Sequence, residues 1–122
     1  MSHCVLILSD DLMFTSQIAS IARDLSATAR TVRTAEAALT AARQELPGCV
    51  IVDWQVAGQS LASLLTSLGG MSPKPFVVAY GSHVDTAGLR AAQEAGCDLV
   101  VPRSKFVEIL PVSLAEWLKS GG

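Results

Sequence analysis

Three short apolar runs constrain the fold more than any other feature of this 122-residue chain. They cover residues 4–8 (CVLIL), 49–54 (CVIVDW, apolar apart from Asp53) and 76–80 (FVVAY). An uninterrupted apolar run of this length is typical of a β-strand buried on both faces, as the central strands of a parallel sheet are. The chain is therefore predicted to fold around a parallel sheet with these three runs at its centre.

Helix-favouring segments separate the apolar runs and supply the crossovers that a parallel sheet requires. Two further strands are predicted at residues 29–34 and 98–101, and helices at residues 10–26, 35–46, 60–68, 85–95 and 104–120. Pro111 is expected either to break the last helix into two pieces or to begin its main segment. The predicted fold class is α/β, a flavodoxin-like doubly wound sheet in the order 2-1-3-4-5, formed by a single domain over residues 1–122.

The composition argues against several classes of protein. The formal net charge is -2 and the basic residues are scattered, so direct binding of nucleic acid is not expected. No apolar run approaches the roughly 20 residues of a membrane-spanning helix, and the N-terminus lacks a signal-peptide pattern, so we expect a cytoplasmic protein without membrane contact. The three cysteines, Cys4, Cys49 and Cys97, lack metal-site spacing and are expected to be buried reduced thiols.

Polar side chains cluster where the predicted strands end. In a doubly wound sheet, ligands bind beyond the carboxyl ends of the strands, near the point where the strand order reverses. Clustered carboxylates from two neighbouring strands suit Mg²⁺. The residues selected by this rule, at the ends of strands one, three, four and five, are Ser9, Asp10, Asp11, Asp53, Tyr80, Gly81, Ser82, Pro102, Arg103 and Ser104.

The acids at this edge have different predicted roles. Aspartate is a favoured helix N-cap, so we assign Asp11 to the cap of the first helix and Asp10 to the pocket. Asp53 is interpreted as a functional carboxylate rather than a polar strand end. Arg103 is expected to face Asp53, where its forked guanidinium would grip the carboxylate and compete with a metal ion. Trp54 is expected either to lean over the pocket or to pack in the ordinary way.

Four segments, VLILSDD, CVIVDWQVAG, KPFVVAYGS and AAQEAGCDLVVPRS, resemble the receiver domains of bacterial response regulators, and the resemblance covers nearly the whole chain. It implies that Asp53 is the phosphoacceptor and that a histidine kinase or phosphotransfer protein donates the phosphoryl group with the help of Mg²⁺. The implied metal ligands are Asp10, Asp53 and, through a water molecule, Ser9. The resemblance also implies a downstream protein target, leaves a homodimer open, and implies no enzymatic activity beyond phosphorylation and dephosphorylation of Asp53 itself.

The chain departs from the receiver pattern around the phosphoacceptor. One of the two acids usual after strand one is replaced by the neutral Ser9. The usual Thr or Ser after strand four falls at Tyr80 or Gly81, with Ser82 as a stand-in, and the usual Lys after strand five is matched by Arg103. The pocket for Mg²⁺ and phosphate is therefore interpreted as degraded, and the loss of one negative charge is expected to weaken metal binding.

Three functions are compatible with these residues. The first is a stand-alone receiver domain in a phosphorelay, with protein contact as its output. The second is a pseudo-receiver that binds a partner independently of phosphorylation, through a surface around Leu89, Phe106 and Trp117. The third is a flavodoxin-like binder of a small ligand, which is disfavoured because no glycine-rich phosphate loop follows strand one.

Overall fold

A single parallel sheet forms the centre of the protein, for which a computed structural model describes residues 3–120. Its strands follow the order β2-β1-β3-β4-β5, so the predicted fold class and strand order are confirmed. The strands are β1 (Cys4–Leu8), β2 (Thr28–Val32), β3 (Cys49–Asp53), β4 (Phe76–Gly81) and β5 (Leu99–Pro102).

Helices cover both faces of the sheet, with α1 and α6 on one face and α2, α4 and α5 on the other. The helical segments are α1 (Leu12–Asp24), α2 (Ala35–Gln44), α3 (Trp54–Ala57), a 3-10 turn (Gly58–Ser60), α4 (Leu61–Gly69), α5 (Thr86–Ala95) and α6 (Arg103–Ser120). The predicted ends of the other elements differ by one or two residues, but α3 was not predicted. It begins at Trp54 because the Asp53 carboxylate caps it, with Oδ1 accepting a hydrogen bond from the backbone N–H of Gln55.

The last helix is continuous through Pro111, so both predictions for that proline were wrong. A proline inside a helix removes one backbone hydrogen bond and crowds the preceding turn. Here the side chain is exposed, and the opposite face of α6 is held against the sheet by buried side chains on both sides of the proline. These are Phe106, Leu110, Leu114, Trp117 and Leu118.

Packing on the sheet removes part of the predicted partner-binding surface. Phe106 is 0% exposed and Trp117 is 6% exposed, and the two rings stack with centroids 5.8 Å apart. Both side chains therefore belong to the core between the sheet and α6, because helical periodicity places them on the same side as Leu110 and Leu114. Their assignment to an exposed surface was wrong. Leu89 is half-buried against the core on the other face.

The three cysteines lie at or near the amino-terminal ends of strands. Cys4 begins β1 and Cys49 begins β3, and both are buried as predicted. Cys97 precedes β5 and is half-buried, and its desolvation raises the pKa of the thiol to about 11. Within residues 3–120, no helix combines the length and the apolar character needed to cross a membrane.

Candidate functional site

The candidate site lies at the carboxyl edge of the sheet, where the strand order reverses between β1 and β3. Ser9 follows β1, Asp53 ends β3, and Arg103 comes directly after β5 as the first residue of α6. Asp53 pairs in register with Tyr80 on the neighbouring strand β4. The topology therefore brings residues far apart in sequence to one point of the sheet, as the sequence predicted for Asp53 and Arg103.

Asp53 is the buried carboxylate of this site, with only 3% of its surface exposed. Its Oδ1 accepts a hydrogen bond from the Gln55 N–H over 3.0 Å, and its Oδ2 lies 3.4 Å from Nη2 of Arg103. Burial raises the pKa of the Asp53 carboxyl above its ordinary value, although the Gln55 hydrogen bond and the Arg103 charge both act in the opposite direction. The fold thus holds a carboxylate in a place where its charge is only partly compensated.

Arg103 joins two acids. Its Nη2 faces Asp53, while its Nη1 lies 3.5 Å from Oδ2 of Asp11. The guanidinium carbon is 5.5 Å from the ring centroids of both Phe14 and Tyr80, within reach of a cation–π interaction. The cation is therefore held by two carboxylates and two aromatic rings, although 42% of the side chain remains exposed.

Besides its ion pair with Arg103, Asp11 caps helix α1. It is the N-cap of α1, as predicted, and its Oδ1 accepts a hydrogen bond from the backbone N–H of Phe14 over 3.0 Å. Its ion pair with Arg103 was not predicted, because a capping role gives no indication of what the second carboxylate oxygen will meet. A single side chain therefore fixes both the start of α1 and the position of Arg103.

Ser9 and Tyr80 are buried together at the base of the site, which we call its floor. The Tyr80 hydroxyl donates a hydrogen bond to Ser9 Oγ over 2.9 Å, and the Asp11 backbone N–H donates to the same oxygen over 3.2 Å. Ser9 is 1% exposed and Tyr80 is 0% exposed. Burial and the nearby Asp53 charge raise the pKa of the Tyr80 hydroxyl to about 12. The neutral Ser9 hydroxyl is thus committed to contacts within the protein.

Ser82, the predicted stand-in hydroxyl, lies outside this buried floor. It lines an open cleft of about 490 Å³ together with Gln55, His83, Arg103 and Ser104. Its Oγ accepts a long hydrogen bond of 3.4 Å from the Val84 N–H. His83 is exposed. The cleft shares Arg103 and Gln55 with the contacts of Asp53 and extends outward from them, so it forms the outer part of the site.

The donor set does not fit a tightly bound Mg²⁺. Asp10 is exposed, although its charge contributes to the raised pKa of Asp53. Asp11 and Asp53 both face Arg103. Across residues 3–120, no group of three or more His, Cys, Asp or Glu side chains is placed to hold a metal ion. The resemblance implies that Mg²⁺ is bound by Asp10, Asp53 and Ser9. These ligands stay a prediction, and the site they would form is expected to be weak.

Trp54 points away from the pocket rather than leaning over it. The indole is 3% exposed and packs in the core on the α2, α4 and α5 face. Its Nε1–H donates a hydrogen bond to Oδ2 of Asp85 over 2.9 Å. Of the two alternatives drawn from the sequence, packing is therefore the one observed, with a specific polar contact added to it.

The fold is that of the receiver domains of response regulators. The receiver domain of NtrX from Brucella abortus matches with a TM-score of 0.75 and 22% identity, over 95% of this chain and 98% of that one. The beryllofluoride-activated NtrC4 receiver domain dimer has a TM-score of 0.79 and 16% identity, over 98% and 99% of the two chains. A putative response regulator from Chloroflexus aurantiacus J-10-fl has a TM-score of 0.77 and 20% identity, again over 98% and 99%.

The similarity is confined to one part of some larger proteins. A longer NtrX chain from Brucella abortus, solved in complex with ATP, matches with a TM-score of 0.75 and 22% identity. The match covers 99% of this chain but only 27% of the NtrX chain. No protein-family model matches the sequence, and no curated protein matches it significantly. These structures support the receiver fold that the sequence segments predicted. At such low sequence identities, the similarity supports the fold and not a shared function.

Proposed function

We propose that this chain is a receiver-fold module that acts by contact with other proteins and does not require phosphorylation of Asp53. The observation that carries the proposal is the position of Arg103, whose two terminal nitrogens face Asp53 and Asp11 at 3.4 and 3.5 Å. The guanidinium supplies a permanent positive charge. The two acids are therefore partly neutralised without a metal ion, and any cation from solution must compete with a side chain already in place.

The floor of the site supports the same proposal. Phosphoryl transfer depends on positioning and on charges that stabilise the transferred group, usually including a bound metal ion. At this edge, Ser9 brings no charge and its oxygen accepts hydrogen bonds from Tyr80 and Asp11. Tyr80, whose phenol is fully buried, pairs in register with Asp53 on the neighbouring strand. Both features favour a fixed pocket over one that rearranges around a phosphoryl group.

The second candidate is a phosphorelay receiver with Asp53 as the acceptor, and one observation favours it. The Arg103–Asp53 distance of 3.4 Å exceeds the roughly 2.7–2.9 Å of a strong charge-assisted hydrogen bond. Arg103 is also exposed enough to turn toward a phosphoryl group on Asp53. In this candidate, a histidine kinase or phosphotransfer protein is the donor and Mg²⁺ assists the transfer.

Incubation with Mg²⁺ and acetyl phosphate, followed by intact-mass analysis, separates the two candidates. We expect no phosphoryl group on the wild-type protein. The matched control is the triple variant Ser9→Asp, Tyr80→Thr, Arg103→Lys, in which the hydroxyl is placed at position 80 because Tyr80 pairs in register with Asp53. It is expected to gain a phosphoryl group on Asp53. Stoichiometric phosphorylation of the wild type that disappears in Asp53→Asn would replace the proposal with the phosphorelay function.

The output is tested through self-association, because the similar NtrC4 receiver domain is a dimer in its activated form. Sedimentation equilibrium is compared for the wild type, for Asp53→Asn and for protein treated with acetyl phosphate and Mg²⁺. We propose that the association constant is the same in all three. A tenfold change, about 1.4 kcal/mol of coupling, would contradict a phosphorylation-independent module.

A further inference from the structure

The side chains of two consecutive residues at the end of β3, Asp53 and Trp54, lie on opposite faces of the sheet. The carboxylate of Asp53 faces Arg103, which lies over Phe14 and Tyr80 in the core beneath α1 and α6. The indole of Trp54 is buried in the core beneath α2, α4 and α5. Asp53 is also the N-cap of α3, the single turn that Trp54 begins. A displacement of Asp53 is therefore transmitted directly to the backbone that carries the indole.

The indole occupies a slot that two glycines leave open. A Cβ at Gly81, the last residue of β4, would overlap the Trp54 ring, and so would a Cβ at Gly88 in the first turn of α5. Contacts as close as these transmit displacements from one element to the next. The Trp54 ring is therefore in contact with both the end of β4 and the start of α5.

Asp85 ties the indole to the start of α5. One carboxylate oxygen accepts from Trp54 Nε1–H over 2.9 Å, and the other accepts from the Gly88 backbone N–H over 2.9 Å. Asp85 is the N-cap of α5, so the same carboxylate holds the first turn of the helix and the ring. The two oxygens make a direct connection between α3 and α5.

An open cleft lies beside this connection. It has a volume of about 350 Å³ and separates α3 and the 3-10 turn from α5, with Gln55, Gly58, Asp85 and Ala91 among its lining residues. Trp54 and Asp85 also line the cleft, and their hydrogen bond connects the two helices at its edge.

We infer that Trp54 is a positioning residue that couples the Arg103–Asp53 pair to the orientation of the first turn of α5. The connection runs from the Asp53 cap to the α3 backbone, from the indole to Asp85, and from Asp85 to Gly88. It holds whether or not Asp53 accepts a phosphoryl group, since its starting point is the ion pair with Arg103.

The test perturbs the pocket and reads out α5. Arg103→Ala removes the partner of Asp53, and amide hydrogen exchange of Gly88 and Leu89 is measured by NMR relative to the amides of α2, which corrects for any global loss of stability. We expect Arg103→Ala to raise the relative exchange rates about tenfold in the wild-type background and less than about twofold in Trp54→Phe. Phenylalanine keeps an aromatic ring in the slot but removes the donor to Asp85.

Two controls make the result specific. Trp117→Phe changes the tryptophan of the opposite core and is expected to leave the full effect of Arg103→Ala. Asp85→Ser retains a capping hydroxyl but removes the carboxylate that bridges Trp54 and Gly88, and it replaces Trp54→Phe if that variant does not fold. The inference is overturned if Arg103→Ala alters exchange equally with and without the Trp54–Asp85 contact, or does not alter it in either background.

Discussion

The Tyr80 hydroxyl donates a hydrogen bond to Ser9 Oγ across 2.9 Å, within the buried edge of the sheet between α1 and β4. The resemblance to receivers implies an acid at Ser9 and a small hydroxyl residue at either Tyr80 or Gly81. Ser9 and Tyr80, both at positions where the sequence departs from the pattern, therefore meet in space. A neutral acceptor beside a phenol satisfies both polar groups, whereas a carboxylate in the same confined place would bring a second charge close to Asp53.

Substitution of this pair is expected to give unequal losses of stability. Tyr80→Phe removes one hydrogen bond and is predicted to lower the free energy of unfolding by about 1 kcal/mol. Ser9→Ala leaves the buried phenol without its acceptor and is predicted to cost about 1–3 kcal/mol. In the Tyr80→Phe background, Ser9→Ala should cost less. Urea unfolding of the four proteins measures the interaction, and strictly additive losses would show that the hydrogen bond contributes nothing.

Tyr80 is the only tyrosine in the chain, so its ionisation can be followed directly by near-ultraviolet absorbance. Burial raises its pKa from 10 to about 12 in the folded protein. The folded state then binds the proton more tightly than the unfolded state, and stability is expected to fall as the pH rises from about 10 through about 12. The tyrosinate signal should appear near pH 10 in urea-unfolded protein. The same midpoint in the folded protein would contradict burial of the hydroxyl.

Asp53 should make stability depend on pH in the direction opposite to that of an ordinary salt-bridged acid. Burial is the main cause that raises the pKa of Asp53 in the folded protein. The contribution of this group to the free energy of unfolding is therefore greatest below its unfolded-state pKa of about 3.9, and it is lost as the pH rises through the raised pKa of the folded state. Asn cannot ionise. Asp53→Asn is therefore expected to be more stable than the wild type at about pH 7, with an advantage that shrinks toward about pH 4.

Urea denaturation of both proteins across this pH range measures the effect. Gln55→Ala is a suitable reference, because it keeps the backbone N–H that donates to Asp53 and should show the pH dependence of the wild type. A wild type that is more stable than Asp53→Asn at neutral pH would mean that the ion pair with Arg103 outweighs the cost of burying the carboxylate.

Magnesium binding is predicted to be weak and to improve when a charge is restored at position 9. Ser9→Asp adds a carboxylate oxygen near Asp53, and we expect it to bind Mg²⁺ about tenfold more tightly than the wild type. Ser9→Asn is the neutral control of nearly the same size and should resemble the wild type. Isothermal calorimetry measures the three affinities. Equal affinities in Ser9→Asp and Ser9→Asn would place Ser9 outside the metal site.

The sheet was predictable because the relevant physics is local in sequence. Continuous apolar runs indicate strands that are buried on both faces, and β1 and β3 are buried at every residue. The rule that ligand sites lie at the carboxyl edge then predicted the approach of Asp53 and Arg103 without knowledge of any side-chain position. The capping role of Asp11 also follows from local chemistry.

The remaining features depend on contacts between distant residues. Nothing near Tyr80 in the sequence indicates that its hydroxyl meets Ser9, and nothing near Trp54 indicates that its indole meets Asp85. Both predictions for Pro111 were wrong because tertiary packing along α6 outweighs the local helix-breaking signal of the proline. Such contacts are set by how the elements pack, which the hydrophobic pattern predicts only in outline.

The buried position of Cys49 makes its thiol a probe of unfolding. This thiol is 0% exposed at the start of the central strand β3, so an alkylating reagent reaches it only when the sheet comes apart. Cys97 is half-buried outside the strands and is shielded far less. Because the two thiols differ in the size of the fluctuation needed to expose them, their separate modification rates distinguish local breathing from disruption of the whole domain.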